Sequence, residues 1–312
     1  MTTEKKGKVV KGLGGLYEVR IAGNDGVERI SCRAKGILHR DEEKLLIGDN
    51  VIVTIDEDTP DGKVISEILP RKNALIRPPL ANLDYLFIVF APKKPSPVIE
   101  TVDKLIAIAE YNAITPVIVI TKSDLSEELA KEYLGIYQRI GFDAFITSAE
   151  DGFGIDELKE YINSNVTCGK VAAFAGASGV GKSTLMNSLF PSLTLATSEI
   201  SQKIERGKHT TRHVEIFDIN SKESTGYLAD TPGFSLIDFA RFNFFSLNDL
   251  EGTFREFSSL KGKCLYADCA HVGEGIDECA VARAAEDGKI EKTRLESYRS
   301  IYKVLKEKKN YE

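Results

Sequence analysis

Short stretches of alternating apolar and polar residues fill the first 72 residues of the chain, and glycine-rich turns separate them. Alternation with a period of two is typical of β-strands that bury one face, and frequent β-branched residues reinforce it here. The pattern predicts strands at 7–10, 16–21, 27–34, 50–55 and 63–69. Five short strands in so few residues predict a small closed β-barrel over residues 1–72, and the OB-fold is the natural candidate.

Nearly continuous apolar runs replace this alternation after residue 82, as in strands buried on both faces of a parallel sheet. Such runs occupy 84–91, 116–121, 144–147, 171–175, 214–219 and 226–229. Helically spaced segments at 101–111 and 126–140 accompany them, so strands and helices alternate. An α/β domain is therefore predicted over residues 73–240, after a linker formed by Arg71-Lys72-Asn73 and Pro78-Pro79. Residues 241–312 are helical in pattern and form a third predicted domain.

The composition is that of a folded protein with a proper core, because 42% of the 312 residues are hydrophobic and 28% are charged. No apolar run approaches the roughly 18–20 residues that cross a bilayer. The charged amino terminus, MTTEKKGKVVKG, lacks a secretory core. We therefore expect a cytoplasmic protein without a membrane partner. A net charge of −6 argues against a broadly basic nucleic-acid-binding surface, and the excess acid lies within residues 73–240.

A phosphate-binding motif directly follows the apolar run at 171–175. It matches G-x-x-x-x-G-K-[ST] and consists of Gly176, Ala177, Ser178, Gly179, Val180, Gly181, Lys182, Ser183 and Thr184. Glycines let the backbone wrap around phosphate oxygens, while its N–H groups and the following helix supply positive potential. Lys182 would then reach the β- and γ-phosphates as part of the catalytic machinery, and Ser183 would ligate Mg²⁺. The alternative is a glycine-rich turn with an incidental lysine.

A guanine-binding pattern, [NT]-K-x-D, ends the strand predicted at 116–121. An aspartate there can accept from both N1–H and N2–H₂ of guanine, whereas adenine offers no such pair of donors. A further loop after the next predicted strand would offer a backbone N–H to guanine O6. Alone, these residues would be ordinary surface turns, but beside the phosphate motif they predict a GTP or GDP site. The candidate residues are Thr121, Lys122, Ser123, Asp124, Ser148 and Ala149.

Two further segments resemble nucleotide switches. Asp230-Thr231-Pro232-Gly233 matches D-x-x-G, in which Asp230 would hold Mg²⁺ through water and the Gly233 N–H would sense the γ-phosphate. Upstream, Thr211 would ligate Mg²⁺ only while the γ-phosphate is present, so its loop would order and disorder with nucleotide state. Thr210 is the alternative for that role.

A third cluster, in the carboxy-terminal part, has the chemistry of a metal site. Three cysteines and a histidine occur within sixteen residues, and in a reducing compartment such a cluster indicates metal before disulfide. Three thiolates and one imidazole complete a tetrahedral shell without an open catalytic position, which predicts one structural zinc. The alternative is a set of buried thiols near an incidental histidine. The candidate ligands are Cys264, Cys269, His271 and Cys279.

The order of the motifs narrows the class further. The base motif and its partner loop precede the phosphate loop and both switches, whereas ordinary GTPases have them afterwards, so the GTPase domain is circularly permuted. The chain resembles the ribosome-small-subunit-dependent GTPase A (RsgA) family in three features: this order of motifs, the segment GKHTTRHVEI and the C-x₄-C-x-H spacing. One departure is that seven residues separate His271 from Cys279, where the family usually has about five.

The resemblance implies an OB-fold, a permuted GTPase domain and a zinc domain, acting together in late maturation of the small (30S) ribosomal subunit. It implies that the subunit stimulates GTP hydrolysis and that the partners are 16S rRNA and ribosomal proteins; we expect a monomer. Phe234 occupies the position at which a glutamine orients water in Ras-like enzymes. The resemblance points to His209 instead as a catalytic residue, with a solvated loop histidine as the alternative.

Two rival functions remain open at this stage. One is a nucleotide-gated ribosome- or RNA-binding module in which hydrolysis only resets binding. The other is a P-loop kinase that phosphorylates a small acceptor, which the guanine motif and D-x-x-G disfavour.

Overall fold

The computed structural model describes residues 2–23, 26–35, 44–59, 62–191, 214–219, 226–230, 239 and 241–309. Its backbone forms two compact units. Unit 1 consists of Met1–Tyr85, Lys159–Phe174 and Leu189–Gly233, and unit 2 consists of Leu86–Leu158, Ala175–Ser188 and Phe234–Glu312. The division into domains at residues 72 and 240 stays a prediction.

A five-stranded barrel opens unit 1. Its strands are β1 (Thr2–Leu13), β2 (Leu16–Gly23), β3 (Gly26–Ala34), β4 (Asn50–Asp56) and β5 (Lys63–Ile68). The barrel closes in the order β1-β2-β3-β5-β4-β1, in which only β3 and β5 are parallel. Its core is formed by inward residues of all five strands, namely Val9, Val19, Ile21, Ile30, Cys32, Val51, Val53 and Ile65. The predicted all-β barrel of the OB-fold kind is confirmed.

The segment after the barrel is structured, so its interpretation as a linker was wrong. It forms the short antiparallel pair β6 (Ala74–Leu75) and β7 (Leu80–Ala81). Arg71 donates from Nε and Nη2 to the two carboxylate oxygens of Asp49 at 2.6 and 2.8 Å, and Asp49 is fully buried. The Asn73 side chain exchanges two hydrogen bonds with the backbone of Leu83. Contacts with residues elsewhere in the sequence thus hold this segment in place, although its composition is typical of a loop.

The predicted α/β alternation is confirmed in the central part of the chain. The elements are β8 (Leu83–Phe90), α1 (Ile99–Tyr111), β9 (Thr115–Ile120), α2 (Glu127–Ile140), β10 (Asp143–Ile146), α3 (Ile155–Asn165), β11 (Val171–Ala175) and α4 (Lys182–Leu189). In unit 2, β9 lies between β8 and β10 and is parallel to β10. All but the first residue of β9 are buried, as expected for a strand covered on both faces.

Unit 1 continues beyond the barrel as a β-hairpin. Its strands are β12 (Glu215–Ile219) and β13 (Gly226–Asp230), which pair antiparallel from Glu215 opposite Asp230 to Ile219 opposite Gly226. On one side β13 runs parallel to β11, and on the other side β12 pairs with β1 of the barrel at Lys11 and Glu215. The hairpin and the barrel therefore belong to one hydrogen-bonded sheet.

The carboxy-terminal part of unit 2 is helical, as predicted. Short 3₁₀ turns at Leu247–Asp249, Glu251–Thr253 and Arg255–Leu260 precede α5 (Ala280–Glu286) and α6 (Lys292–Lys309). Arg294 at the start of α6 is only 1% exposed and donates to Asp103 of α1 and to Glu256, both at 2.7 Å. This end of α6 is thus joined to α1 by a buried ionic cluster. None of the helices in the described ranges is long and apolar enough to span a bilayer.

Candidate nucleotide and metal sites

The phosphate motif forms a tight loop between β11 and α4. Gly176 has φ of +148°, and a Cβ atom there would lie 2.1 Å from the carbonyl oxygen of Val89, so only glycine fits. Gly179 and Gly181 also have positive φ, at +79° and +97°. The loop therefore has the backbone freedom that wrapping around phosphate oxygens requires.

Lys182 closes this loop through two hydrogen bonds. Its Nζ donates to the carbonyl oxygens of Gly176 and Ala177 at 2.7 and 2.8 Å. Burial lowers the pKa of Lys182, because desolvation disfavours the charged ammonium. A bound phosphate would restore an anionic partner to this ammonium. Ser183 and Thr184 follow at the exposed amino-terminal end of α4, as the motif predicts.

The predicted base motif contacts the phosphate loop directly. The Thr121 hydroxyl donates to the carbonyl oxygen of Val180. Lys122 has φ of +54°, and its Nζ donates to the carbonyl oxygens of Gly179 at 2.6 Å and Lys94 at 2.9 Å. The structure therefore brings together two motifs that lie more than fifty residues apart, and Lys122 joins them by hydrogen bonds.

The carboxylate predicted to read guanine is exposed and held in place by one neighbour. Ser148 donates from Oγ to Asp124 Oδ1 at 3.0 Å and is itself fully buried. The Ser148 amide donates to the carbonyl oxygen of Phe153. Because the Ser148 amide already has this partner, the N–H predicted to face guanine O6 would be that of exposed Ala149, and this role stays a prediction. Ser148 itself holds the aspartate through its hydroxyl. Ser123 donates its amide to the carbonyl oxygen of Thr147, which holds the two loops side by side.

The predicted switch residues are described only in part. His209, Thr211 and Gly233 lie outside the described residues. Asp230 is the last residue of β13, and its backbone is paired with Glu215.

The structure brings the four predicted metal ligands together. Their ligand atoms all lie within 4.8 Å of one another. The His271 Nδ1 atom is 3.7, 3.4 and 3.3 Å from the sulfur atoms of Cys264, Cys269 and Cys279. In a tetrahedral zinc site such ligand atoms are separated by about 3.6–3.8 Å. The donor set and spacing therefore fit zinc, and the seven-residue spacing before Cys279 does not displace this ligand.

The surroundings of the cluster also suit a metal. Backbone N–H groups of Ala280 and Ala282 donate to the sulfur atoms of Cys264 and Cys279, an arrangement that favours thiolates. Burial raises the pKa of Cys269 to about 12 and lowers the pKa of His271. Metal binding would then release protons from the thiols.

The order of the motifs and their geometry define a class. A phosphate loop joined to a guanine-type motif that precedes it in the chain, in a protein whose first residues form a five-stranded barrel, is the arrangement of a circularly permuted P-loop GTPase. A family model described as RsgA GTPase matches residues 68–240, and one described as RsgA N-terminal domain matches residues 6–62. The chain belongs to the RsgA GTPase family.

Individual relatives match over nearly the whole chain. The small ribosomal subunit biogenesis GTPase RsgA of Alkaliphilus metalliredigens is 38% identical over 98% of this chain and 99% of its own length. That of Caldanaerobacter subterraneus is 39% identical over 97% and 96%. Among solved structures, YjeQ from Thermotoga maritima has a TM-score of 0.78 at 33% identity, covering 97% of this chain and 99% of YjeQ. YloQ, described as a circularly permuted GTPase, has a TM-score of 0.76 at 32% identity, covering 98% and 96%.

Sequence reasoning missed two contributors to these sites. The carbonyl group of Lys94, in the loop after β8, accepts from Lys122, but a backbone acceptor leaves no side-chain signal. Glu251 has a carboxylate oxygen 3.9 Å from Nε2 of His271, the ring nitrogen that faces away from the sulfur atoms. No spacing rule connects that glutamate with the Cys/His motif.

Proposed function

We propose that this chain is a GTP hydrolase that acts in late maturation of the small ribosomal subunit. The observation that carries the proposal is that Thr121 and Lys122 of the T-K-S-D motif donate hydrogen bonds to carbonyl oxygens of the phosphate loop. Membership of the RsgA family supplies the target, because relatives of nearly equal length are named small ribosomal subunit biogenesis GTPases. The subunit, through 16S rRNA and ribosomal proteins, is the partner, and the protein acts as a cytoplasmic monomer.

Each nucleotide group has an assigned partner in this proposal. Asp124, oriented by Ser148, accepts from N1–H and N2–H₂ of guanine. The phosphate-loop N–H groups and Lys182 bind the β- and γ-phosphates, and electrostatic stabilisation of charge on the transferring phosphoryl group is the main source of catalysis. Ser183 and Thr211 would hold Mg²⁺ directly, and Asp230 would hold it through water. When bound, the ion neutralises charge on the phosphate oxygens.

The zinc site has a structural role. Cys264, Cys269, His271 and Cys279 would form a closed shell around the ion and leave no position for substrate. When bound, zinc crosslinks residues 264–279, a segment whose described part contains little regular secondary structure.

His209 is proposed to position the attacking water, since Phe234 cannot hydrogen-bond to it. His209→Ala should slow hydrolysis far more than it weakens GTP binding, because the role arises only near the transition state. Steady-state turnover and nucleotide affinity, measured on the same preparation, separate the two effects. An equal loss in affinity with unchanged turnover at saturation would assign the histidine to loop structure instead.

Release of free phosphate from GTP, with and without purified small subunits, tests the proposal as a whole. Stimulated phosphate release is expected, and Lys182→Met should abolish it. Lys159→Met is the matched control, because Lys159 is an exposed residue of α3 and its replacement removes the same charge outside the site. Subunit binding that persists when hydrolysis is lost, with no stimulation in the native chain, would support the nucleotide-gated binding module. A phosphorylated small product would indicate a kinase.

A further inference from the structure

The hairpin of β12 and β13 is bounded by the two predicted switches. Thr211 lies four residues before β12 begins at Glu215, and Asp230 of D-x-x-G is the last residue of β13. Five consecutive cross-strand pairs make the hairpin a continuous ladder. Any displacement imposed at either switch therefore acts on the ends of this two-stranded element.

The barrel holds the same hairpin through charged contacts. On β2 and β3, Arg20 and Arg29 face each other as a cross-strand pair, an arrangement in which like charges repel. Asp218 of β12 lies between them: its Oδ1 contacts Arg20, and its Oδ2 is 3.4 Å from Nη2 of Arg29. Glu18 of β2 also lies 3.9 Å from Arg29, so two carboxylates offset the repulsion between the arginines. Since Asp218 contacts both arginines, it stabilises the barrel as well as the hairpin.

Aromatic and backbone contacts strengthen this connection. The Arg20 guanidinium lies 5.2 Å from the ring centroid of Tyr227, a buried residue of β13. The Arg20 side chain is 10% exposed, so its charge is largely shielded from water and salt. Nearby, the backbones of Lys11 and Glu215 pair in register, and their side chains form an ion pair at 2.9 Å. The hairpin is thus bound to β1, β2 and β3.

We propose that Asp218, clamped by Arg20 and Arg29, couples nucleotide state to the affinity of the barrel for RNA of the small subunit. This inference rests on the proposed function, because it requires GTP-dependent switches and an RNA partner. A switch that moves the hairpin must carry the barrel strands with it or break the ionic contact. Through this contact, the free energy of the barrel's conformation differs between the GTP and GDP states. By linkage, RNA on the barrel must favour one nucleotide to the same degree.

The test compares small-subunit affinity of the full, zinc-loaded chain in the GDP state and with a non-hydrolysable GTP analogue. Wild type should prefer one state by about fivefold or more, the range of typical coupling energies. Asp218→Asn, which keeps the shape but removes the charge, should bring that ratio close to one while basal GTP hydrolysis stays within about twofold. Glu67→Gln is the matched control: it removes an exposed carboxylate on β5, a strand that does not pair with the hairpin, and it should keep the ratio.

Three results would overturn the coupling role. They are an unchanged ratio in Asp218→Asn, a wild-type ratio of one, and an equal fall of basal hydrolysis and affinity, which would mean that Asp218 only supports folding. Basal GTP hydrolysis of wild type separately decides the proposed function. If Asp218→Asn does not fold, Glu215→Gln removes only the ion pair with Lys11 and should lower the ratio in part. An unchanged ratio in that variant would also refute the coupling.

Discussion

Arg294 offers a stringent test of how the carboxy-terminal helices are held to α1. Its guanidinium donates to Asp103 at 2.7 Å and to the two oxygens of Glu256 at 2.7 and 3.2 Å, and it lies 4.4 Å from the ring centroid of Phe254. Replacing it with methionine fills most of the volume but leaves the fully buried carboxylate of Asp103 without its cation.

The magnitude follows from the fate of that carboxylate. Breaking a buried ion pair from one side costs about 3–5 kcal/mol. Asp103 can limit the loss by taking up a proton, which at pH 7 costs about 4 kcal/mol for a group of normal pKa. Arg294→Met should therefore lose about 4 kcal/mol, equivalent to a fall in Tm on the order of 10 °C for a unit of this size.

The sign of the pH dependence is fixed by the same argument. Burial raises the pKa of Asp103 in the native chain although Arg294 opposes this shift. Removing the cation raises that pKa further, so the folded variant binds more protons than the folded wild type. Stability of Arg294→Met relative to wild type should then fall as pH rises from 5 to 7. Replacing both partners, as Arg294→Met with Asp103→Leu, should recover most of the loss because no buried charge remains.

Zinc release during heating, followed with a colorimetric chelator, reports unfolding of unit 2 separately from unit 1. Arg139→Gln is the control, because its ion pair with Glu291 is on the surface and is worth less than about 1 kcal/mol. A loss in Arg294→Met no larger than in Arg139→Gln, or a double variant no more stable than the single one, would refute the reasoning.

Further changes address the other sites. Asp124→Asn should lose GTP affinity and gain affinity for xanthosine triphosphate, whose O2 accepts where guanine donates; unchanged GTP binding would remove Asp124 from the base site. Wild type should hold one zinc per chain by metal analysis and Cys279→Ser should lose it, whereas Cys32→Ser, in the barrel core, should keep it. Burial lowers the pKa of Lys8 to about 8, so Lys8→Met should stabilise the chain at pH 7 by on the order of 1–3 kcal/mol. That gain should shrink between pH 8 and 10, where the folded wild type loses its proton before the unfolded chain does; a gain independent of pH in urea unfolding would contradict this assignment.

Local signals account for the parts of the fold that could be predicted. The strand at 171–175 was predicted to the residue, because its five apolar residues are bounded by the glycine-rich loop. By contrast, β1 begins at Thr2, five residues before its predicted start, since Thr2–Lys6 has no apolar alternation and is held by backbone pairing to β4. A long-range partner also explains why the interpretation of residues 71–73 as a linker was wrong. Arg71 binds Asp49, which lies 22 residues earlier in the chain.

The sites divide in the same way. The nucleotide contacts of Lys182 and Asp124 stay predictions. The motifs that contain them were predictable because phosphate and guanine chemistry constrains residue types at short spacing. The neighbours that hold them were not, because they act through backbone atoms or through contacts between distant segments. Lys94 contributes a carbonyl group to Lys122, and Arg294 meets Asp103 across 191 positions, although in sequence it is one charge among many on a polar helix.

The circular permutation has a consequence for where the switches act. The chain passes from unit 2 to unit 1 after Ser188, at the last residue of α4, and returns after Gly233. Both switch motifs therefore lie between those crossings, and Gly233 is the last residue before the second one. The base motif, the phosphate loop and the metal ligands all belong to unit 2, whose carboxy-terminal helices are joined to α1 through Arg294. Since the zinc segment shares a compact unit with the base and phosphate motifs, it is part of their framework. The element bounded by both switches is instead the hairpin that the barrel holds, so nucleotide-dependent change should reach the barrel first.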